Sequence, residues 1–378
     1  MINSTNRKSR RWKWLIGIIA FVILVGSVGY YNRVALGMWG FDMFLADDVE
    51  KKLENSYKPL EGRNTQQIAY KKEAPFSMLL LGVDQRGKEV GRSDTMIYTV
   101  VRPTDGSVLM VSIPRDTYTE IVGKKSKAGN EFYDKITHAY AFGGAKMAVE
   151  TVEKLFGHPL DHYASINFSG FREVIDAMDG VALPITEDLV NDDADHEKFV
   201  VKAGQEVYMG QDALNYVRFR EDAGGDTSRT GRHQVFLNAI MNKAAQVEQW
   251  SNIPEFIEIM GENFNTDLTP EHMIDLAKSM LQAETRTIYS HTLKGNGHRK
   301  SDHGAWYYFA DEEDLENVKD LIELWLDPTL TKAQLPIPEQ FLKKQNTNKP
   351  ADKSNKPSKP VHSLSSTTTN AVKATYGK

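Results

Sequence analysis

"MLLLGVDQRGKEVGRSDTMIYTVVRPTDGSVLMVSIPRD" runs from Met78 to Asp116, and its apolar runs and charged turns decide the fold. The run "FSMLLLGVD", starting at Phe76, is continuously apolar over the length of a strand and ends in a polar turn, the pattern of a central strand covered on both faces. The segment "TMIYTVVRPTDGSVLMVSIPRD" reads as a hairpin, two β-rich runs around the turn "PTDG". With that turn centred on Thr104 and Asp105, Asp94 falls opposite Arg115. If the first strand is parallel to the third, Asp84 arrives at the same sheet edge, where open α/β sheets bind ligands.

Charge is distributed unevenly around this core. The chain has 378 residues and a net charge of −5, yet Arg7, Lys8, Arg10, Arg11 and Lys13 precede the uncharged run Trp14–Tyr31, and the last 36 residues carry eight lysines against Asp352. Residues 14–342 therefore carry −17. The apolar run is about long enough to span 30 Å of hydrocarbon, and its basic flank predicts a cytoplasmic N-terminus with the remainder outside. No A-x-A-like site follows, so it reads as an uncleaved signal-anchor. The Lys-, Pro-, Ser- and Thr-rich end cannot build a core and reads as disordered. The absence of cysteine excludes disulfides, thiolate metal sites and a Cys nucleophile, and suits the outer face of a Gram-positive membrane.

Alternating elements follow the hairpin. "GGAKMAVETVEKLFG" and "FREVIDAMDG" read as helices capped by Gly157 and Gly180, "HYASINF" and "VALPI" as strands, and "MGQDALNYVRFRED" as a helix running into a loop. A long amphipathic helix starts at "RTGRHQ", and further helices are expected near 253–263, 270–282 and 311–325. Alternation of this kind implies a layered α/β fold.

Arg218, Arg220, Arg229 and Arg232 fall close together in this acidic body. An extended "VRFR" places both arginines on one side with Phe219 facing the core, and the i,i+3 spacing of Arg229 and Arg232 places them on one face of a helix's first turn. Cations there oppose the helix dipole unless an anion sits among them, and arginine's forked donors match phosphate oxygens. Asp84 and Asp94 are a reasonable pair to hold Mg²⁺, which takes one or two carboxylates together with substrate phosphates. The chain has no P-loop, no G-x-S-x-G and no H-E-x-x-H. His291, His298 and His303 are too loosely spaced for zinc, and "NDDADHE" reads as a solvated acidic loop. Outside a membrane, without ATP, phosphoryl transfer needs a donor already activated, and a lipid-linked pyrophosphate is one; the adjacent apolar helices suit its lipid.

With "LLLGVDQR", "GRSDTMI", "VSIPRDT", "KITHAYAFGG", "DGV", "YVRFRED" and "DTSRTGRHQ" in this order over about residues 74–245, the chain closely resembles the LytR-CpsA-Psr family of membrane-anchored cell-wall enzymes. The resemblance implies a three-layer α-β-α sandwich with a central mixed sheet, preceded by one transmembrane helix. It implies transfer of an anionic glycopolymer, such as wall teichoic acid or capsular polysaccharide, from a polyprenyl-pyrophosphate carrier to peptidoglycan. Asp84 and Asp94 match the Mg²⁺ positions. Arg92, Arg115, Arg218, Arg220, Arg229, Arg232 and Gln234 match positions around the pyrophosphate, and the catalytic set is Asp84, Asp94, Arg115 and Arg220. Asp116 is placed to orient Arg115. Tyr118 and Thr119 stand where relatives often carry a further basic residue, and His233 where they often carry Gln.

The expected organisation is a basic cytoplasmic tail (1–13), a transmembrane anchor (14–31), a membrane-proximal linker and helix (32–73), an extracytoplasmic catalytic domain (74–342) and a disordered tail (343–378). Two rival functions fit the same residues. One is hydrolysis of the lipid pyrophosphate with water as acceptor; the other is non-catalytic binding of envelope lipids.

Overall fold

The computed structural model describes residues 40–43, 46–63, 73–84, 91–192, 197–219, 225–244, 253–283, 285–301 and 304–338, with the side chains of 225–230, 234, 241, 253–254 and 262 outside that description. The expected membrane span at 14–31 and the tail from 343 fall outside it, and no helix of the described residues is long and apolar enough to cross a membrane.

In chain order, helix α1 (Ala46–Leu53) precedes β1 (Phe76–Val83), β2 (Ser93–Arg102), β3 (Ser107–Ile113), β4 (Tyr118–Lys125) and β5 (Glu131–Lys135). There follow α2 (Thr137–Phe156), β6 (His162–Asn167), α3 (Phe168–Ala177), β7 (Leu189–Asn191), β8 (Phe199–Val201), α4 (Gly210–Arg218) and α5 (Gly225–Ala244). The body closes with α6 (Ile253–Asn263), β9 (Phe264–Thr266), α7 (Pro270–Gln282), β10 (Thr287–Thr292), β11 (Gly295–Arg299), β12 (Trp306–Ala310) and α8 (Glu312–Leu326).

Six strands form a mixed sheet in the order β10-β3-β2-β1-β6-β9. β1 lies inside it, antiparallel to β2 and parallel to β6, as its two-sided apolar run requires. Both faces are covered by helices. Leu79, Leu81 and Val83 enter a core with Val152 and Phe156 of α2 and Ile322 and Trp325 of α8, while Met78, Ile97 and Met110 pack on the opposite side under Met273, Leu276 and Met280 of α7. Each fully buried leucine on such a strand contributes roughly 1.5–3 kcal/mol. The segment expected to be a membrane-proximal linker and helix carries α1, which buries Val49 and Leu53 against Ile257 of α6.

Around "PTDG" the hairpin forms in the register its turn predicts, with Arg102 opposite Ser107 and Met96 opposite Ile113. Arg102 is buried at its end and donates to the carbonyls of Trp325 and Asp327 at 2.8 and 2.9 Å, satisfying the open C-terminal end of α8. Some expected elements differ. "VALPI" is not a strand: Val181 makes a single bridge to Tyr208, and Pro184, lacking an N–H, cannot extend the ladder. Helix α2 starts at Thr137 rather than at Gly143, because the glycine pair interrupts the helix instead of opening it. Gly144 adopts φ 63°, ψ −153°, a conformation close to glycine-only.

Asp314 ties α8 to the sheet. Its Oδ2 accepts from the Lys294 N–H at 2.8 Å and lies 2.9 Å from His291 Nε2. Burial alone would raise the carboxyl pKa, but these hydrogen bonds and the neighbouring positive charge outweigh it and hold it below the usual range. A depressed folded-state pKa stabilises the fold above the unfolded value of about 3.9, and that contribution is lost as pH falls through the lower folded value. Asp314→Asn should therefore lower the melting temperature near pH ~7. The gap to wild type should close in strong acid; a gap independent of pH would remove the carboxylate from the explanation.

Candidate active site

The charged edge is built by a bulge. β1 and β2 stay in register to the Gly82–Thr95 pair, and then Val83 meets Ser93, which leaves Asp94 as the extra residue. Bulges re-aim side chains, and this one turns Asp94 to the mouth while Ser93 stays buried, its hydroxyl on the Thr95 carbonyl at 2.8 Å. Asp84 follows β1 directly, and its N–H donates to the Arg92 carbonyl at 3.0 Å, so both aspartates flank one strand end.

Arg115, just past β3, pairs with Asp94 at 2.8 Å as the hairpin register requires. Its Nε lies 3.6 Å from Asp116, and Lys135 at the end of β5 reaches the other Asp116 oxygen at 2.7 Å. The result is a partly exposed row of alternating charge, Asp94, Arg115, Asp116 and Lys135. Backbone contacts hold it: the Thr137 N–H donates to the Arg115 carbonyl at 3.1 Å, and the Thr137 hydroxyl to the Ser93 carbonyl at 2.8 Å. Sequence reasoning missed Lys135. Its signal was the basic residue inside "KITHAY", whose distance in sequence from Asp116 conceals their contact.

Beside this edge lies an apolar cavity of about 260 Å³. Its floor is the sheet at Leu80, Gly82, Thr95 and Ile97, and its walls are α3, α4 and α5, which contribute Phe171, Val217 and Phe236. Gly82 and Thr95 are the last paired residues before the bulge, so the cavity meets the charged edge without a gap in the chain. Helix α3 starts straight from β6, with Asn167 opposite Val83 and its side chain capping the Gly170 N–H at 2.8 Å.

Arg218 stands on the cavity wall. Its guanidinium sits 5.0 Å from the Phe168 ring centre and 3.2 Å from the exposed Glu197, a partner easily exchanged for an anion. It is the last residue of α4 rather than part of an extended "VRFR", although Phe219, extended at φ −60°, ψ 138°, is buried as expected. Arg229 and Arg232 do not occupy a helix's first turn: α5 begins at Gly225, so the dipole argument does not reach them, since that effect fades within one turn. Arg232 is buried and donates to the Phe219 carbonyl, while His233 Nε2 lies 3.0 Å from the Val217 carbonyl. Together they fasten α5 to the segment bearing Arg218. Arg92 is exposed at the bend before β2. Arg220 lies outside the described residues, as do the side chains of Arg229 and Gln234.

Among the described residues there is no group of three or more His, Cys, Asp or Glu able to hold a metal alone. His298 stacks on Phe309 and His291 Nε2 lies 2.9 Å from Asp314, while His303 lies outside the described residues. "NDDADHE" joins β7 to β8, with 193–196 outside the description.

A profile of the LytR_cpsA_psr family matches residues 43–323. The polyisoprenyl-teichoic acid–peptidoglycan teichoic acid transferase TagU of Bacillus cereus is 34% identical over 323 residues, which is 84% of this chain and 97% of that protein. Among solved structures, Bacillus subtilis TagU aligns at 33% identity with a TM-score of 0.51, over 68% of this chain and 99% of its own. TagT bound to LIIa-WTA aligns at 28% identity with a TM-score of 0.56, over 72% of this chain and 96% of its own. With a profile match over most of its length and relatives of this similarity, the chain belongs to the LytR-CpsA-Psr family.

Proposed function

We propose that this protein transfers an anionic glycopolymer of the wall teichoic acid or capsular type from a polyprenyl-pyrophosphate carrier to peptidoglycan. The observation that carries the reading is the continuity of the apolar cavity with the row of Asp94, Arg115 and Asp116 through Gly82 and Thr95. A ligand suited to both is an amphiphile with a hydrocarbon body and a polyanionic head. The names of TagU and of WTA-bound TagT support the polymer class. The basic residues ahead of the apolar run 14–31 support a single-pass anchor with this body outside the membrane.

Chemically, an acceptor sugar hydroxyl attacks the phosphorus bonded to the glycan. One P–O bond forms to the acceptor, and the bond to the bridging oxygen breaks. Polyprenyl phosphate leaves with the electron pair, and the hydroxyl proton passes to a base or to water. Arg115, held by Asp94, and Arg218 at the cavity wall neutralise charge on the phosphoryl oxygens, so positioning and electrostatics provide most of the acceleration. Asp84 and Asp94 fit Mg²⁺: they are hard oxygen donors at one strand end, and since no group of three or more such ligands occurs among the described residues, the remaining positions would fall to water and substrate phosphates. Bound there, the ion would supply further charge neutralisation at the phosphates.

Full-length protein purified from membranes is expected to carry polyprenyl-linked pyrophosphate detectable by mass spectrometry, and to turn it over faster with glycan acceptor than without. Equal rates would indicate hydrolysis. Bound lipid with no turnover in either condition would make the protein a binder.

A further inference from the structure

The β4–β5 and β11–β12 hairpins form an outer layer next to the charged edge. On β4–β5, Ile121 and Phe132 turn inward to the core, so Tyr118, Glu120, Tyr133 and Lys135 share the outward face, with Tyr118 directly opposite Lys135 and Glu120 opposite Tyr133. Tyr118 is the hub of an aromatic cluster. Its ring stacks on Tyr133 at 5.7 Å and meets Tyr307 at 5.0 Å and Phe309 at 5.4 Å, while His298 stacks on Phe309 at 4.2 Å. The Lys300 ammonium lies 4.2 Å from the centre of the Tyr118 ring and bonds its hydroxyl.

The outermost rings are exposed: Tyr133 is 46% accessible, and His298 also faces solvent. This surface is joined to the charged edge. The Tyr308 N–H donates to the Asp116 carbonyl at 2.9 Å, and Lys135, within 6.0 Å of the Tyr307 ring, is the residue paired with the Asp116 carboxylate. It lies across the sheet edge from the cavity, because Ile121 belongs to the core on the α2 and α8 side while Leu80, Gly82 and Ile97 line the cavity on the other.

We propose that this aromatic surface is the docking site for the acceptor, holding the sugar rings of a peptidoglycan glycan strand. The inference rests on the transferase reading above. In phosphoryl transfer the attacking and leaving oxygens are roughly in line. With the lipid phosphate leaving toward the cavity, the acceptor hydroxyl must approach from the opposite side, and that side is this layer. Tyrosine rings present flat apolar faces to the C–H faces of pyranose rings, and Lys135 and Lys300 suit the carboxylates that a peptidoglycan strand carries.

The test measures binding of soluble, uncrosslinked peptidoglycan glycan strands to the full-length chain by calorimetry, with no donor present, and separately the acceptor and donor KM values for transfer. Tyr133→Ala combined with His298→Ala should weaken strand binding and raise acceptor KM about ten-fold or more, with donor KM and donor hydrolysis unchanged. Tyr133→Phe, which keeps the ring, should bind as wild type does. Unchanged strand binding and acceptor KM in the double variant would overturn the proposal. A rise confined to donor KM would also overturn it by moving the donor polymer onto this surface. Strand binding is read without turnover, so a failure of the transferase reading would show as absent donor turnover while the binding arm still decides this assignment.

Discussion

Arg115→Ala is expected to slow glycopolymer transfer about 100- to 1,000-fold while leaving the protein folded. Arg115 sits past the end of β3, partly exposed and outside the sheet core, with its charge taken up by Asp94 at 2.8 Å. Its truncation leaves no cavity in that core. The donor it removes is directed at phosphoryl oxygens whose charge shifts during transfer, so the loss falls mainly on the transition state and appears in kcat. Lysine retains the charge without the fork, and Arg115→Lys should fall between wild type and Arg115→Ala. Transfer rates of the purified, folded variants at saturating Mg²⁺ provide the check. A near-wild-type rate for Arg115→Ala would mean that Arg115 and Asp94 are an ordinary surface ion pair.

This central pair was legible in the sequence because a hairpin's register follows from its turn. "PTDG" and two β-rich runs specify which residues face each other, and Asp94 meets Arg115 through that geometry alone. The bulge was not legible. Nothing in "GRSDTMI" says that Asp94 is the unpaired residue, since Ser93 could have taken either role until its hydroxyl found the Thr95 carbonyl. The start of α5 was misjudged for a related reason. Asp226, Thr227 and Ser228 look like a capping segment, yet the helix runs through them from Gly225.

The outer layer was missed altogether. In β4 the alternation is interrupted by Gly123 and charged residues, and β11 holds two glycines and almost no apolar side chains. Such strands are set by their partners: Gly297 leaves the space that the Trp306 ring fills, and the inward residues of β4 and β5 find α2 only in the folded chain. The cavity was foreseen only as adjacent apolar helices. Its lining comes from β1, β2, β6, β9 and three helices far apart in sequence, and no single periodicity reports an unfilled space between them. Arg232 shows the limit for single residues, because its spacing suggested a phosphate ligand whereas its guanidinium is buried on the Phe219 carbonyl.

Asp94→Asn is expected to reduce transfer at least as severely as Arg115→Ala, because Asp94 holds two parts of the site. Asparagine keeps an oxygen of the same shape to accept from Arg115, so the guanidinium should stay near its place. The change removes the negative charge that both Arg115 and a divalent cation would use. Losing even a supporting contact around a metal lowers its affinity roughly 10- to 100-fold, and a direct ligand should exceed that. The Mg²⁺ concentration for half-maximal rate should rise accordingly, together with a lower rate at saturation. Asp84→Asn tests the metal role from the other carboxylate while leaving the Asp94–Arg115 pair itself in place, and its loss should raise the Mg²⁺ concentration needed for half-maximal rate. A double-mutant cycle completes the comparison: Arg115→Lys should matter less in the Asp94→Asn background, because neighbours sharing a charge pair are not additive. If Asp84→Asn keeps the wild-type Mg²⁺ dependence, the aspartates are not a metal site. Asp94 would then act only by holding Arg115, and the phosphate charge would be met by Arg115 and Arg218 without an ion.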